Sequence, residues 1–148
     1  VLFVGAYERQ LDDKGRLALP APFRAHLGEQ CYLAKGLDKC IDVIPVADFE
    51  RVATEMMEAV KRGEVSLQRQ RSLAFSAVLV NVDKQGRVKL DDTLRAYAEI
   101  DDDTMPMVAG NLDRLEIWSP ERYRRVNAVG DDQLAGSDLD GSAPDGQR

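Results

Sequence analysis

The stretch Asp12-Asp13-Lys14-Gly15-Arg16-Leu17-Ala18-Leu19-Pro20-Ala21-Pro22-Phe23-Arg24 is answered by Asp83-Lys84-Gln85-Gly86-Arg87-Val88-Lys89-Leu90-Asp91-Asp92-Thr93-Leu94-Arg95. At this offset of 71 residues Asp12, Gly15, Arg16, Leu19 and Arg24 recur as Asp83, Gly86, Arg87, Leu90 and Arg95, while Leu17 and Phe23 recur as apolar Val88 and Leu94. With three further residues inserted, Gly36 to Val52 matches Gly110 to Val126, so that Asp42-Val43-Ile44 pairs with Glu116-Ile117-Trp118 and Phe49 with Tyr123. Self-similarity of this kind means that the chain is two copies of one unit.

Each copy carries the same physical instructions. A β-rich segment, Ala6 to Leu11 or Ala77 to Val82, leads to an Asp, and a tight turn follows in which Gly15 or Gly86 supplies a positive φ. Arg16-Leu17-Ala18-Leu19 and Arg87-Val88-Lys89-Leu90 then alternate polar or small with apolar, as a half-buried strand does. A short helix comes next, opened by Pro20 and Pro22 in copy one and by the N-cap candidates Asp91 and Asp92 in copy two. Two more strands close each unit: Gln30 to Leu33 and Lys39 to Ile44, then Met105 to Ala109 and Arg114 to Trp118.

Between the copies, Val46 to Arg62 spaces Phe49, Val52, Ala53, Met56 and Val60 as an amphipathic helix, followed by a helical stretch from Ser66 to Phe75. A last helix begins at Ser119-Pro120-Glu121. From Gly130 onward, Gly, Ser, Asp, Pro and Gln prevail, a composition that does not offset its ordering entropy. The expected organisation is a first repeat with its following helix over 1–63, a second repeat over 64–126 and an acidic disordered tail over 127–148.

A chain of 148 residues can bury a core without disulfide staples. No apolar run reaches the roughly 20 residues a bilayer span needs, so no membrane partner is expected. Cys31 and Cys40 sit in apolar segments and read as buried, inert thiols of a reduced cytoplasm. Val1 to Gly5 has no basic region and reads as a first strand, not as a signal peptide. The net charge of −6 argues against bulk electrostatic coating of nucleic acid. Residues 127–148 hold five Asp against one Arg, however, so most of that acidity belongs to the tail and the repeat region is near neutral.

Catalytic and cofactor signatures are missing from the sequence. It has no phosphate-binding Gly-Lys loop, no GxG spacing, no HExxH and no GxSxG, and the single His26 has Tyr97 as its counterpart. No enzyme activity, cofactor, metal site or small-molecule substrate is expected, and Asp101-Asp102-Asp103 reads as a solvated turn. The Gly-Arg turns are the better functional candidate. They project Lys14 and Arg16, repeated as Lys84, Arg87 and Lys89, and such guanidinium forks suit guanine edges or phosphates. The alternative use of the same residues is internal, with Asp12 pairing Arg16 and Asp83 pairing Arg87 to pin the turns.

The repeated pattern Asp-x-x-Gly-Arg-apolar-x-Leu-Pro-x-x-apolar-Arg, the Gly5 start and the closing Leu115-Glu116-Ile117-Trp118-Ser119-Pro120-Glu121 together resemble the MraZ family of bacterial transcription regulators. The resemblance covers about residues 1–126, and Asp91 stands where the pattern has the proline matched by Pro20. It implies an α+β, mainly β fold in which two tandem AbrB-like swapped-hairpin units form a double-ψ-type β-barrel with peripheral helices. It further implies a ring-shaped homo-oligomer, cytoplasmic and nucleoid-associated. Such a ring binds repeated promoter boxes upstream of the division and cell-wall gene cluster, usually as a repressor. Carried over by position, Arg16, Arg87, Lys14 and Lys84 become the DNA contacts, with Asp12 and Asp83 orienting the arginines and Gly15 and Gly86 making the turns. Arg24 and Arg95 belong to the motif too, either as phosphate contacts or in internal ion pairs. The rival expectation is a protein-interaction or antitoxin-like module of the same fold that binds no operator.

Overall fold

The computed structural model describes residues 1–136. Its strands are β1 (Ala6–Glu8), β2 (Arg16–Ala18), β3 (Gln30–Lys35), β4 (Ile41–Pro45), β5 (Val78–Asn81), β6 (Arg87–Lys89), β7 (Met107–Asn111) and β8 (Arg114–Trp118). The helices are α1 (Ala21–Leu27), α2 (Val46–Lys61), α3 (Leu67–Ser76), α4 (Asp92–Tyr97) and α5 (Pro120–Ala135). The result is an α+β fold, as expected. Four of the five α-helices start where the sequence offers a start, and α2 begins directly after Pro45 with no side-chain cap. Ser66, Asp91 and Ser119 accept the backbone N–H of Arg69, Leu94 and Arg122 at 3.1, 2.8 and 3.3 Å, and α1 begins on its prolines instead.

The two copies are not side by side but interlocked. Six strands form one antiparallel sheet in the order β1-β7-β8-β4-β3-β5, and β2 pairs with β6 in a separate two-stranded ribbon. Exchanging each strand for its repeat mate, β1 for β5, β3 for β7 and β4 for β8, reverses that order and so reproduces it. The chain therefore has a topological pseudo-two-fold axis. It passes where a residue pairs with its own mate: Leu17 with Val88 in the ribbon, and Asp42 with Glu116 at the centre of the sheet.

The core follows the repeat. Leu17 and Val88, Leu19 and Leu90, and Phe23 and Leu94 are three pairs of equivalent residues, all fully buried or nearly so. Burying each such side chain stabilises the fold by about 1.5–3 kcal/mol. Phe3 and Tyr7 close the cluster edge-on against Phe23, with ring centroids 5.9 and 5.5 Å away. Cys31 and Cys40 are both completely buried, as their apolar neighbours suggested.

Two expectations are modified. The described strands do not close into a hydrogen-bonded barrel: β1 and β5 each pair on one side only, and a single bridge, Leu11 with Leu17, joins the ribbon to its approach segment. With only three residues in each strand of the ribbon, no ladder extends far enough to reach the main sheet. The second change concerns the tail. α5 continues through Ala135, well into the stretch assigned to disorder from residue 127. Extending a helix already nucleated at Ser119 adds one hydrogen bond per residue fixed, a far smaller demand than ordering an isolated polar segment. The rest of that tail lies outside the described residues.

Asp42 is the main electrostatic cost of this duplication. It is buried and directly opposite Glu116, and burial, ahead of the Glu116 charge, raises its pKa to about 6 against the partial relief given by Arg114. Because the folded value lies above the ordinary 3.8, the folded chain holds a proton that the unfolded chain has lost, and stability falls as pH rises through that window. Asp42→Asn should therefore gain on the wild type between pH 4 and pH 7 by about 1–3 kcal/mol in urea denaturation. A stability difference independent of pH would show that Asp42 is ionised throughout.

Candidate nucleic-acid interface

Both hairpin turns are built on a carboxylate. Asp12 Oδ1 accepts the backbone N–H groups of Lys14 and Arg16, each at 2.9 Å, and Oδ2 accepts Arg16 Nε at 2.7 Å. In copy two, Asp83 Oδ1 accepts the N–H groups of Gln85 and Arg87 at 2.9 and 2.8 Å, and Oδ2 accepts Arg87 Nε at 2.9 Å. Gly15 and Gly86 complete the turns at φ +74° and +76°. Hydrogen bonding from the Arg16 backbone, then its guanidinium, holds Asp12 at a pKa of about 2, and Asp83 is lowered for the corresponding reasons.

The internal pairing does not consume the arginines. Only Nε of Arg16 is taken, and among the described residues its Nη groups have no hydrogen-bond partner. Arg87 Nη1 lies 3.7 Å from Asp12 Oδ2, so the two guanidinium groups converge on one carboxylate oxygen. Pairing places Arg16 opposite Lys89 and Ala18 opposite Arg87, with Leu17 and Val88 buried beneath. Side chains alternate across a strand, so Arg16, Arg87 and Lys89 share the outer face of the ribbon. Lys14 and Lys84 are exposed at the turns, at opposite ends of that face. Lys89 Nζ also donates to the carbonyl of Lys14.

Arg24 and Arg95 do different work. Arg24 lies across Gly86 of the other copy and its Nη1 donates to Gln85 O at 2.9 Å. Arg95 lies beside Gly15, donates through Nε to Ile100 O at 3.2 Å, and through Nη2 to Asp102 Oδ1 at 2.8 Å. Arg24 is thus a clamp from one repeat on the turn of the other, whereas Arg95 packs beside the opposite turn while its hydrogen bonds stay within its own repeat. Asp101, Asp102 and Asp103 are exposed, and Asp101 holds a local turn with Thr104.

The sequence did not single out Cys40, Asp42 and Glu116, whose ligand atoms lie within 4.8 Å of one another. Their surroundings satisfy them without a cation. Arg114 Nη1 donates to Asp42 at 3.4 Å, Asn111 and Trp118 donate to the two Glu116 oxygens at 3.0 and 3.1 Å, and burial holds the Cys40 thiol far above its ordinary pKa.

The chain is thus a duplicated α+β protein whose two arginine hairpins meet across a pseudo-two-fold and share one polar outer face. The family model of the MraZ protein, described as antitoxin-like, matches residues 2–69 and 73–132, and the chain belongs to that family. Proteins named transcriptional regulator MraZ are similar over most of the chain. One from Roseiflexus sp. (strain RS-1) is 38% identical, covering 84% of this chain and 86% of its own length. Those from Desulforamulus reducens and Corynebacterium jeikeium are each 36% identical, covering 94% and 93% of this chain and 99% and 94% of their own lengths.

The clamp makes the two turns unequal. A methyl group at Gly86 would fall 1.8 Å from Arg24 Cδ, whereas one at Gly15 would fall 3.0 Å from the mobile end of Lys89. Both glycines have positive φ, so each alanine variant should lose about 1–2 kcal/mol from backbone strain. Gly86→Ala should lose more, and Arg24→Ala should recover the excess. Additive losses in a Gly86→Ala, Arg24→Ala cycle would show that the clamp is not what distinguishes them.

Proposed function

We propose that this chain is a DNA-binding transcriptional regulator whose contact surface is the outer face of the β2·β6 ribbon. The observation that carries this is the pair of arginines whose Nε atoms are held by aspartates, which leaves the Nη groups of Arg16 without a hydrogen-bond partner among the described residues and those of Arg87 with only the 3.7 Å approach to Asp12. A two-stranded ribbon fits the major groove, and a guanidinium held by its Nε is pre-oriented for a guanine edge or a phosphate. Arg16 and Arg87 read or grip, Lys14, Lys84 and Lys89 add phosphate contacts, and Asp12 and Asp83 orient. Arg24 and Arg95 support the turns from behind. The names of the relatives favour the same function.

One ribbon neutralises few phosphates, so useful affinity needs several copies acting together. We propose a homo-oligomeric ring whose ribbons engage repeated promoter boxes. Both ends of the six-stranded sheet support this. β1 and β5 are edge strands with an unpaired side, flanked by exposed Leu2 and Val4 at one end and by Phe75 and Leu79 at the other. The interlocking of the repeats favours describing each unit, near 1–63 and 64–126, as a swapped hairpin. The proposal extends to repression of the division and cell-wall gene cluster, in the cytoplasm and at the nucleoid, without catalysis. The antitoxin-like description of the family favours a second use of the surface, binding to a protein.

Arg16→Ala and Arg87→Ala should each weaken operator binding by about 1–3 kcal/mol per contact, amplified by the number of ribbons engaged. Lys14→Ala and Lys84→Ala should weaken all sequences alike and flatten the salt dependence. Gel-shift titration at several salt concentrations on DNA upstream of the chain's own gene, with the mass of the oligomer measured in parallel, tests this. Binding and salt slope unchanged in the double arginine variant would refute it, and a stable complex with a second protein but no salt-sensitive DNA binding would favour the other use.

A further inference from the structure

Away from the ribbon, a cavity of 340 Å³ opens between α2, α3 and the segment joining β3 to β4. Val52, Met56 and Leu73 give it an apolar wall, and Lys35 and Arg69 line its other side. Neither cation has a carboxylate within ion-pair distance among the described residues. Lys35 Nζ stands 5.2 Å from the Tyr97 ring centroid, and no acidic residue occupies the first turn of α3 beside Arg69. The remaining charged groups in the lining are Arg114, Asp42 and Asp38. Arg114 and Asp42 bond to each other, Arg114 also engages Asp113, and Asp38 is exposed at the rim. Two cations with no carboxylate partner among the described residues, beside an apolar wall and in a space of the size that small-molecule sites have, match an anion carrying an apolar body.

We propose that this cavity binds a small organic carboxylate with a hydrocarbon body of a few carbons, and that its occupancy is transmitted to the first hairpin through α4. Tyr97 closes the cavity from the end of α4, where its hydroxyl donates to Gly36 O at 2.6 Å. Two residues earlier, Arg95 lies beside Gly15, with its guanidinium held in place by Ile100 O and Asp102. A ligand that draws Lys35 away from the Tyr97 ring disturbs one end of a six-residue helix whose Arg95 packs beside the turn. The consequence for DNA rests on the function proposed above, whereas the site itself does not.

Titrating the full chain with sodium hexanoate, followed by amide nuclear magnetic resonance, tests both parts without DNA. Saturable shifts are expected at Lys35, Ser72 and Leu73, with a smaller response at Gly15. Hexanol should produce little effect, because it lacks the charge. Lys35→Met with Arg69→Gln, both at solvent-reached positions, should weaken hexanoate about tenfold, the factor for a loss of roughly 1.4 kcal/mol. Absence of saturable binding, or an equal response to hexanol, would overturn the site. Inorganic phosphate reproducing every shift would overturn the ligand class, and hexanoate binding that leaves Gly15 unmoved would overturn the transmission.

Discussion

Everything in this molecule depends on a reciprocal pair of backbone hydrogen bonds. Leu19 N–H donates to Gly86 O at 2.8 Å, and Leu90 N–H donates to Gly15 O at 3.0 Å. Each turn therefore presents its carbonyl to the strand end of the other repeat. A buried amide left without a partner costs more than an ordinary hydrogen bond contributes, so neither hairpin is satisfied until both have formed. The same crossing brings Leu17 over Val88 and lays Arg24 and Arg95 across the opposite turns. Cooperation between the repeats is thus a consequence of backbone accounting as much as of hydrophobic burial.

That dependence explains which features could be read in advance. The duplication, the Gly-Arg turns, the helix starts and the buried cysteines rest on local chemistry: an aspartate four residues before an arginine, a serine or aspartate before a helix, an apolar residue at every second position. The exchange of strands between copies carries no such local mark. β3 pairs with β5 over the same kind of surface with which β7 pairs with β1, and nothing in Val78-Leu79-Val80 says which neighbour it will meet. Barrel closure was inferred from resemblance, and strands of three residues in the ribbon did not supply it. The helix across 127–135 was missed for another reason. Composition describes the cost of ordering an isolated segment, while a capped and already growing helix changes that reference.

In the candidate site, the carboxylate and guanidinium pairs were legible from spacing, but their consequence was not. Whether an aspartate consumes an arginine or aims it depends on which nitrogen it holds, and only the geometry distinguishes Nε from Nη. The same holds for Arg24 and Arg95. Their recurrence in both copies marked them as part of the motif, yet Arg24 bonds to the opposite repeat at Gln85, some 60 residues away, while Arg95 bonds within its own repeat to Ile100 and Asp102. The apolar wall and the two cations of the cavity come from three separate elements, so no single window of sequence contains them.

A duplicated chain folded about its own axis places equivalent residues face to face, which is favourable for apolar pairs and unfavourable for charged ones. Leu17 against Val88 gains from that symmetry. Asp42 against Glu116 does not, and the two copies resolve the repulsion differently: Glu116 is held by Asn111 and Trp118, while Asp42 relies on Arg114 and a raised proton affinity. The ribbon shows the same departure from symmetry on its exposed face. Lys89 has Ala18 as its repeat mate, so the end carrying Lys14 and Arg16 gains a third cation that the end carrying Lys84 and Arg87 lacks. Lys89 also reaches across to the Lys14 carbonyl, which ties the extra charge to the first turn. Perfect duplication would have made the two ends of the face interchangeable. Divergence at positions 18 and 89 gives the face a direction while leaving the shared backbone scaffold intact.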